Sequence, residues 1–296
     1  MLSLFFTQKH DIMIVVISMK RIEYEEVVSN VKRLCLEASF SLEDSFIQKI
    51  KDAQGTEKSP IGKKILEQIE ENERIASSEH IPMCQDTGIV VAFVEIGNVI
   101  VEFDIYDAIN EGIRQAYKEG YLRNSVLNDP FERVNTSDNT PGIIHIRKTT
   151  TDHMKITIAP KGGGSENMSR LKMLTPAEGY EGVKKFVIET VELAGGKTCP
   201  PIIVGVGVGG NFEKAALLAK EAVLRDINDQ AKTKTAQKLE IELLEEINKL
   251  GIGPMGLGGT TTAIAVKVNT YPCHIAALPV AVNLQCHASR HRSVIL

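Results

Sequence analysis

Tryptophan is absent from this chain, and aromatic residues make up only 5% of its 296 positions. Little is left from which to build stacking platforms for single-stranded nucleic acid. Neither sign of charge is in excess: 34 Lys and Arg stand against 38 Asp and Glu, a net of −4 at pH 7. No basic stripe suits a phosphate backbone, and no block of like charge reads as an interaction tail. No C-x-x-C occurs, which removes the usual paired-ligand pattern of a structural zinc site. Internal repeats and low-complexity linkers are also missing.

Long apolar runs are missing too. The first nineteen residues, Met1 to Met19, come nearest to one, but Lys9, His10 and Asp11 interrupt them. They are too short to span a bilayer and lack the basic start of a signal peptide. Residues 1–18 are expected to be an over-extended or disordered start, with initiation at Met19 or Met13. Residues 19–296 are expected to form the working domain, in the cytoplasm and away from membranes and nucleic acid.

What is present is ordinary globular composition, 43% hydrophobic and 24% charged. Five cysteines, Cys35, Cys84, Cys199, Cys273 and Cys286, are odd in number and widely spread, which argues for thiols in a reducing compartment.

Periodicity predicts a helical N-terminal section from Ile22 to about Ser77. Its second helix should start near Ser41, where Ser-Leu-Glu-Asp resembles a capping box, and its third at Pro60. Strands are expected at Ile89–Ile96 and Val99–Phe103, joined as a hairpin at Gly97-Asn98. Further strands are expected at Ile143–Arg147, Lys155–Ile158, Ile202–Val204, Thr262–Val268 and Ile275–Val282. Helices are expected at Tyr106–Glu119, from Pro176 to Leu193, at Phe212–Ile227 and at Thr235–Leu250. The predicted class is α/β with some α+β character: one large domain of mixed, partly hairpin-linked sheets flanked by helices.

Cys84, Cys199 and Cys286 each sit in a polar, Gly- or Pro-rich turn, whereas Cys35 falls on an apolar helix face as a small core residue. Three thiolates suit a 4Fe–4S cluster with one iron left open, a Lewis acid for a hydroxy acid. Spacing alone leaves open that these are unrelated core cysteines.

The surrounding motifs narrow this. They are Pro82-Met83-Cys84-Gln85-Asp86-Thr87-Gly88, Lys161-Gly162-Gly163-Gly164-Ser165-Glu166-Asn167 and Ala194-Gly195-Gly196-Lys197-Thr198-Cys199-Pro200-Pro201. They continue with Val204 to Gly210, Gly253 to Gly259, Tyr271-Pro272-Cys273-His274 and Cys286-His287-Ala288-Ser289-Arg290-His291. In this order they resemble the class I (iron–sulfur) fumarase and L(+)-tartrate dehydratase family, in its α subunit, from about Glu23 to Arg292.

The resemblance implies a hydro-lyase acting on a small dicarboxylate, with fumarate hydration to malate as the expected reaction and L(+)-tartrate dehydration as the alternative. It implies Cys84, Cys199 and Cys286 as ligands of a 4Fe–4S cluster with one open iron, and leaves Cys273 unliganded. It implies Gln85, Asp86, Arg123 and the Gly163 amide as substrate contacts, and Asp86 with His274 as a catalytic pair. It also implies that a separate β subunit supplies the remaining base and carboxylate anchors, in an α2β2 assembly.

Each residue has a plainer role available. Arg123 could be a solvated loop residue, the glycines a flexible turn, and His274 a merely hydrogen-bonded histidine. His287 and His291 could support the cysteine sulfurs or simply bind backbone. Two other classes compete. Gly205, Gly207 and Gly210 spell G-x-G-x-x-G between a strand and a helix, with Asp226 further on, a dinucleotide fingerprint. That reading needs a second strand ending near Asp226, where a helix is expected instead. A non-enzymatic cluster-bearing subunit is the other.

Overall fold

The computed structural model describes residues 19–296 and, before them, only the backbone of two short paired strands, β1 (Ser3–Leu4) and β2 (Val15–Val16). The expectation of an over-extended or disordered start at residues 1–18 therefore falls largely outside the described residues. The class is α/β, as expected, and the chain forms two compact units. The first comprises residues up to Leu36 with Val90–Ala159 and Arg292–Leu296; the second comprises Glu37–Ile89 and Pro160–His291.

In the first unit, α1 (Tyr24–Phe40) and α4 (Ile105–Glu119) accompany a sheet of order β10–β5–β3–β4. Its strands are β3 (Ile89–Ile96), β4 (Ile143–Lys148), β5 (Met154–Lys161) and β10 (Arg292–Ile295). Asp104 caps α4 by accepting from the Tyr106 and Asp107 N–H groups. Ile105, Ala108, Ile109, Gly112, Ile113 and Ala116 make one buried face of that helix. Gly112 is where α1 crosses it: a Cβ there would stand 2.7 Å from Val31 Cβ.

The expected Gly97-Asn98 hairpin does not form. Of Val99–Phe103 only Ile100 pairs, in a parallel bridge to Arg21. Gly97 and Asn98 instead donate to the carbonyls of His153 and Thr151. Strand β3 lies between β5 and β4, and its parallel partner β4 is reached across α4.

In the second unit, α2 (Asp44–Thr56) and α3 (Pro60–Glu79) precede a sheet of order β6–β9–β7–β8. Its strands are β6 (Arg170–Leu174), β7 (Ile202–Gly209), β8 (Ala263–Tyr271) and β9 (Leu278–Gln285). Around it lie the short α5 (Gly163–Glu166), α6 (Gly179–Ala194), α7 (Phe212–Ala222) and α8 (Lys234–Lys249). The capping box expected at Ser41 is absent: α2 starts at Asp44 without a side-chain cap, and the Ser41 hydroxyl turns back to the Glu37 carbonyl.

The alternation of β7 explains the layers. Ile202, Val204 and Val206 join a core with α6 and α8, while Ile203 joins the core of α2 and α3 on the opposite face. On that second face Gly205 and Gly207 leave room for α7: a Cβ on Gly207 would stand 2.1 Å from the Ala215 carbonyl. These glycines are a packing surface within a strand, not the phosphate turn of a dinucleotide fold. Here again consecutive strands do not pair as a hairpin, because β7 lies between β8, parallel, and β9, antiparallel.

Candidate functional site

The three motif cysteines lie in loops of the second unit, and all five cysteines are free thiols. Cys84 follows α3 in a turn held by the Met83 N–H on the Ser39 carbonyl, 3.1 Å, and by Asn72 Nδ2 on the Met83 carbonyl, 3.0 Å. Cys199 ends the 3-10 turn Gly195–Thr198 with a left-handed φ of 52°. Gly196 there lies back to back with Gly256 of the Gly253–Gly259 loop, where a Cβ on Gly256 would be 2.5 Å from Gly196 Cα. Cys286 directly follows β9.

The third loop joins the other two. His287 donates from both its backbone N–H and its Nδ1–H to the Cys199 carbonyl, at 3.3 and 3.0 Å. Arg290 Nη1 donates to the Asp86 carbonyl at 2.7 Å. Burial and then the charges of Cys286 and Cys84 push the Cys199 thiol up. Burial holds His287 below the ordinary histidine range, which keeps its ring neutral.

Asp86 is held at both carboxylate oxygens. Oδ2 accepts from the Gly163 N–H at 2.8 Å and Oδ1 from the Gly88 N–H at 3.1 Å. Gly88 is obligatory: its φ is +77° and a Cβ would be 2.6 Å from the Lys161 carbonyl carbon. This contact seats the first motif against the glycine turn of the second. Gly163 and Gln85 are exposed, and so is His274, whose Nδ1 accepts from the Ala276 N–H at 3.1 Å. No hydrogen bond joins His274 to Asp86 among these described residues. Arg123 is exposed and belongs to the first unit, at the head of the loop after α4. Cys273 is exposed and bonds the Ala277 carbonyl, and Cys35 is fully buried, where desolvation pushes its thiol up.

Sequence reasoning missed a charge network beside Cys286. Lys161, 5% exposed, reaches Ser165 Oγ at 2.7 Å and Glu166 at 3.3 Å. Glu166 also pairs with Lys220 of α7 and accepts from Asn283 Nδ2 at 2.9 Å. Burial is the largest influence on Lys161 and lowers it to about 8, against the opposing pull of Glu166 and Cys286. For Glu166 burial favours the neutral acid, but Lys161 and Lys220 outweigh it and lower the carboxyl. Lys161 and Glu166 were visible as motif letters, whereas Lys220 comes from a helix 54 residues further on.

Glu57 was also missed. It is 2% exposed and accepts from the N–H groups of Ser59, Thr260 and Thr261, tying the end of α2 to the Gly253–Gly259 loop. Burial pushes its carboxyl up, but these bonds together bring it down to about 2.

Three soft donors in loops linked through His287 and Arg290 fit a thiolate-ligated iron–sulfur group. Among the described residues no three His, Cys, Asp or Glu side chains close on a single-ion site. A cluster binds each cysteine to a different iron, so it does not require the sulfurs to meet at one ion.

A protein-family profile described as "Fumarate hydratase (Fumerase)" matches residues 28–295. The chain belongs to this family, one of hydro-lyases. It is 44% identical over 268 residues to a Methanocaldococcus jannaschii protein provisionally named L(+)-tartrate dehydratase subunit alpha, covering 88% of this chain and 94% of that one. It is 32% identical over 278 residues to the L(+)-tartrate dehydratase subunit alpha of Escherichia coli strain K12, covering 92% and 90%. The corresponding protein of Escherichia coli strain UTI89 is 33% identical over 272 residues, covering 90% and 88%.

Proposed function

We propose that this chain is the cluster-holding α subunit of a hydro-lyase that removes water from L(+)-tartrate to give oxaloacetate. The reaction class is supported by the way His287 and Arg290 hydrogen-bond the three cysteine loops together. The substrate is supported by the names of the relatives, which favour tartrate over the fumarate expected from sequence. Hydration of fumarate stays as the second reading, on the family's own description.

A 4Fe–4S cluster held by Cys84, Cys199 and Cys286 would supply Lewis acidity at an iron without a protein ligand. The remaining steps fall to the chain. The Gly163 N–H, now on Asp86 Oδ2, turns to an incoming substrate carboxylate and stabilises charge developing there. Asp86, still held at Oδ1 by Gly88, is then free to carry a proton at Oδ2 for the departing hydroxyl. His274 accepts at Nδ1, so its neutral ring carries the proton on Nε2 as a donor to a relay. Gln85 and Arg123 are proposed as substrate contacts on the resemblance, Arg123 through a bidentate carboxylate pair. The C3 base and further anchors are assigned to a β subunit, in keeping with relatives named as α subunits.

The test is anaerobic reconstitution with iron and sulfide, with and without the β partner, and assays of L-tartrate, malate and fumarate. Turnover of L-tartrate only by the assembled enzyme is expected. Preference for malate and fumarate would move the assignment to the second reading, and no turnover of any of the three would overturn both.

A further inference from the structure

A charged group in the Cys286 loop that the proposed reaction does not use is Arg290. It is 3% exposed, and among the described residues no carboxylate forms a salt bridge with it. Its Nη1 donates to the Asp86 carbonyl, while its Nε is buried without a partner. A buried cation with a spare donor is unfavourable, so keeping it there needs a return elsewhere. Geometry indicates the return. A Cβ on Gly162 would stand 3.0 Å from Asp86 Oδ2 and 3.2 Å from Arg290 Nη2, so both groups press on the same glycine. Asp86 is thus fixed at three atoms, its carbonyl by Arg290 and its two carboxylate oxygens by Gly88 and Gly163. Only the first of these bonds comes from the loop that carries Cys286.

We infer that Arg290 is a positioning residue that aligns Asp86 with the third cysteine, so that order in the Cys286–His291 loop is passed directly to the acid–base group. The catalytic part of this rests on the role proposed above for Asp86; the positioning part does not. Arginine suits the task because its rigid planar head can hold the Asp86 carbonyl through Nη1 while Nη2 lies beside Gly162, which a lysine point charge cannot reproduce.

The experiment uses the full chain carrying Arg290→Ala and Arg290→Lys. Hydrogen exchange at single amides reads the positioning directly: in Arg290→Ala the Gly88 and Gly163 amides should exchange about tenfold faster, with β7 and β9 amides unchanged. In the enzyme assembled with its β partner, kcat should fall by about 100-fold with KM nearly constant, as expected for a misplaced catalytic group. Iron and sulfide content should match the unsubstituted enzyme. Added guanidinium should restore part of the rate to Arg290→Ala, and Arg290→Lys should remain impaired. Unchanged exchange at Gly88 and Gly163 would overturn the inference, as would faster exchange throughout the fold or a rise in KM alone. If the unsubstituted enzyme turns over none of the three acids, the proposed reaction fails while the exchange measurement still decides the role of Arg290.

Discussion

Glu57 shows how one side chain can hold a loop that carries no chemistry of its own. Its carboxylate replaces water with backbone N–H donors at Ser59, Thr260 and Thr261. A carboxyl lowered from 4.5 to about 2 contributes stability that is present above 4.5 and lost as pH falls through about 2. Two and a half units correspond to about 3 kcal/mol. Glu57→Gln should therefore lower the urea midpoint at pH 7 by a corresponding amount and flatten the acid-unfolding curve between pH 4.5 and 2. The Lys161–Glu166–Lys220 network behaves differently, because removing the central anion strands two cations. Glu166→Gln should cost about 2 kcal/mol, reduced because the Glu166 side chain is 41% exposed, while Lys220→Met should cost less. Paired urea titrations would rank the two. Neither network was legible in the sequence. Glu57 sits at the end of a helix, and two of its three backbone partners, Thr260 and Thr261, lie about 200 residues away.

At the scale of elements, local signals were read where they act locally. The sequence places the start of α3 at Pro60 and that of α4 at Tyr106, within one residue of where it falls, and the structure shows why: Ser59 and Asp104 cap them, each cap completed within three residues. Hairpins failed for the opposite reason. Gly97-Asn98 has turn chemistry, but which strand lies beside β3 is decided by the crossover through α4 and by burial on both faces. The same applies to β7, whose parallel neighbour β8 comes after α7 and α8. Gly205 and Gly207, which spell part of a dinucleotide fingerprint in the sequence, prove to be the seat of α7. Gly207→Ala should lower the thermal midpoint sharply, by the equivalent of about 2–3 kcal/mol, since backbone cannot yield as a side chain can. Titration with NAD should show no binding, because no phosphate turn remains among these glycines.

Over the whole molecule, the motifs identified the family and the cysteine loops, while their connection required the fold. Of the two roles the sequence leaves open for His287, a hydrogen bond to sulfur or to backbone, the structure shows the backbone one, on the Cys199 carbonyl, while Arg290 was visible only as a letter after Cys286 until β9 carried that loop to Asp86. Among the described residues no helix is long and apolar enough to cross a membrane. The account requires three thiolates to share one cluster with an iron open to substrate. Mössbauer spectra of the anaerobically reconstituted protein test this most directly, taken with and without L-tartrate and repeated for Cys84→Ser, Cys199→Ser and Cys286→Ser. The account predicts a cluster in which one iron site alone shifts on adding substrate, and loss of the cluster in each variant. A spectrum indifferent to substrate, or a cluster that survives loss of any one of these cysteines, would contradict it.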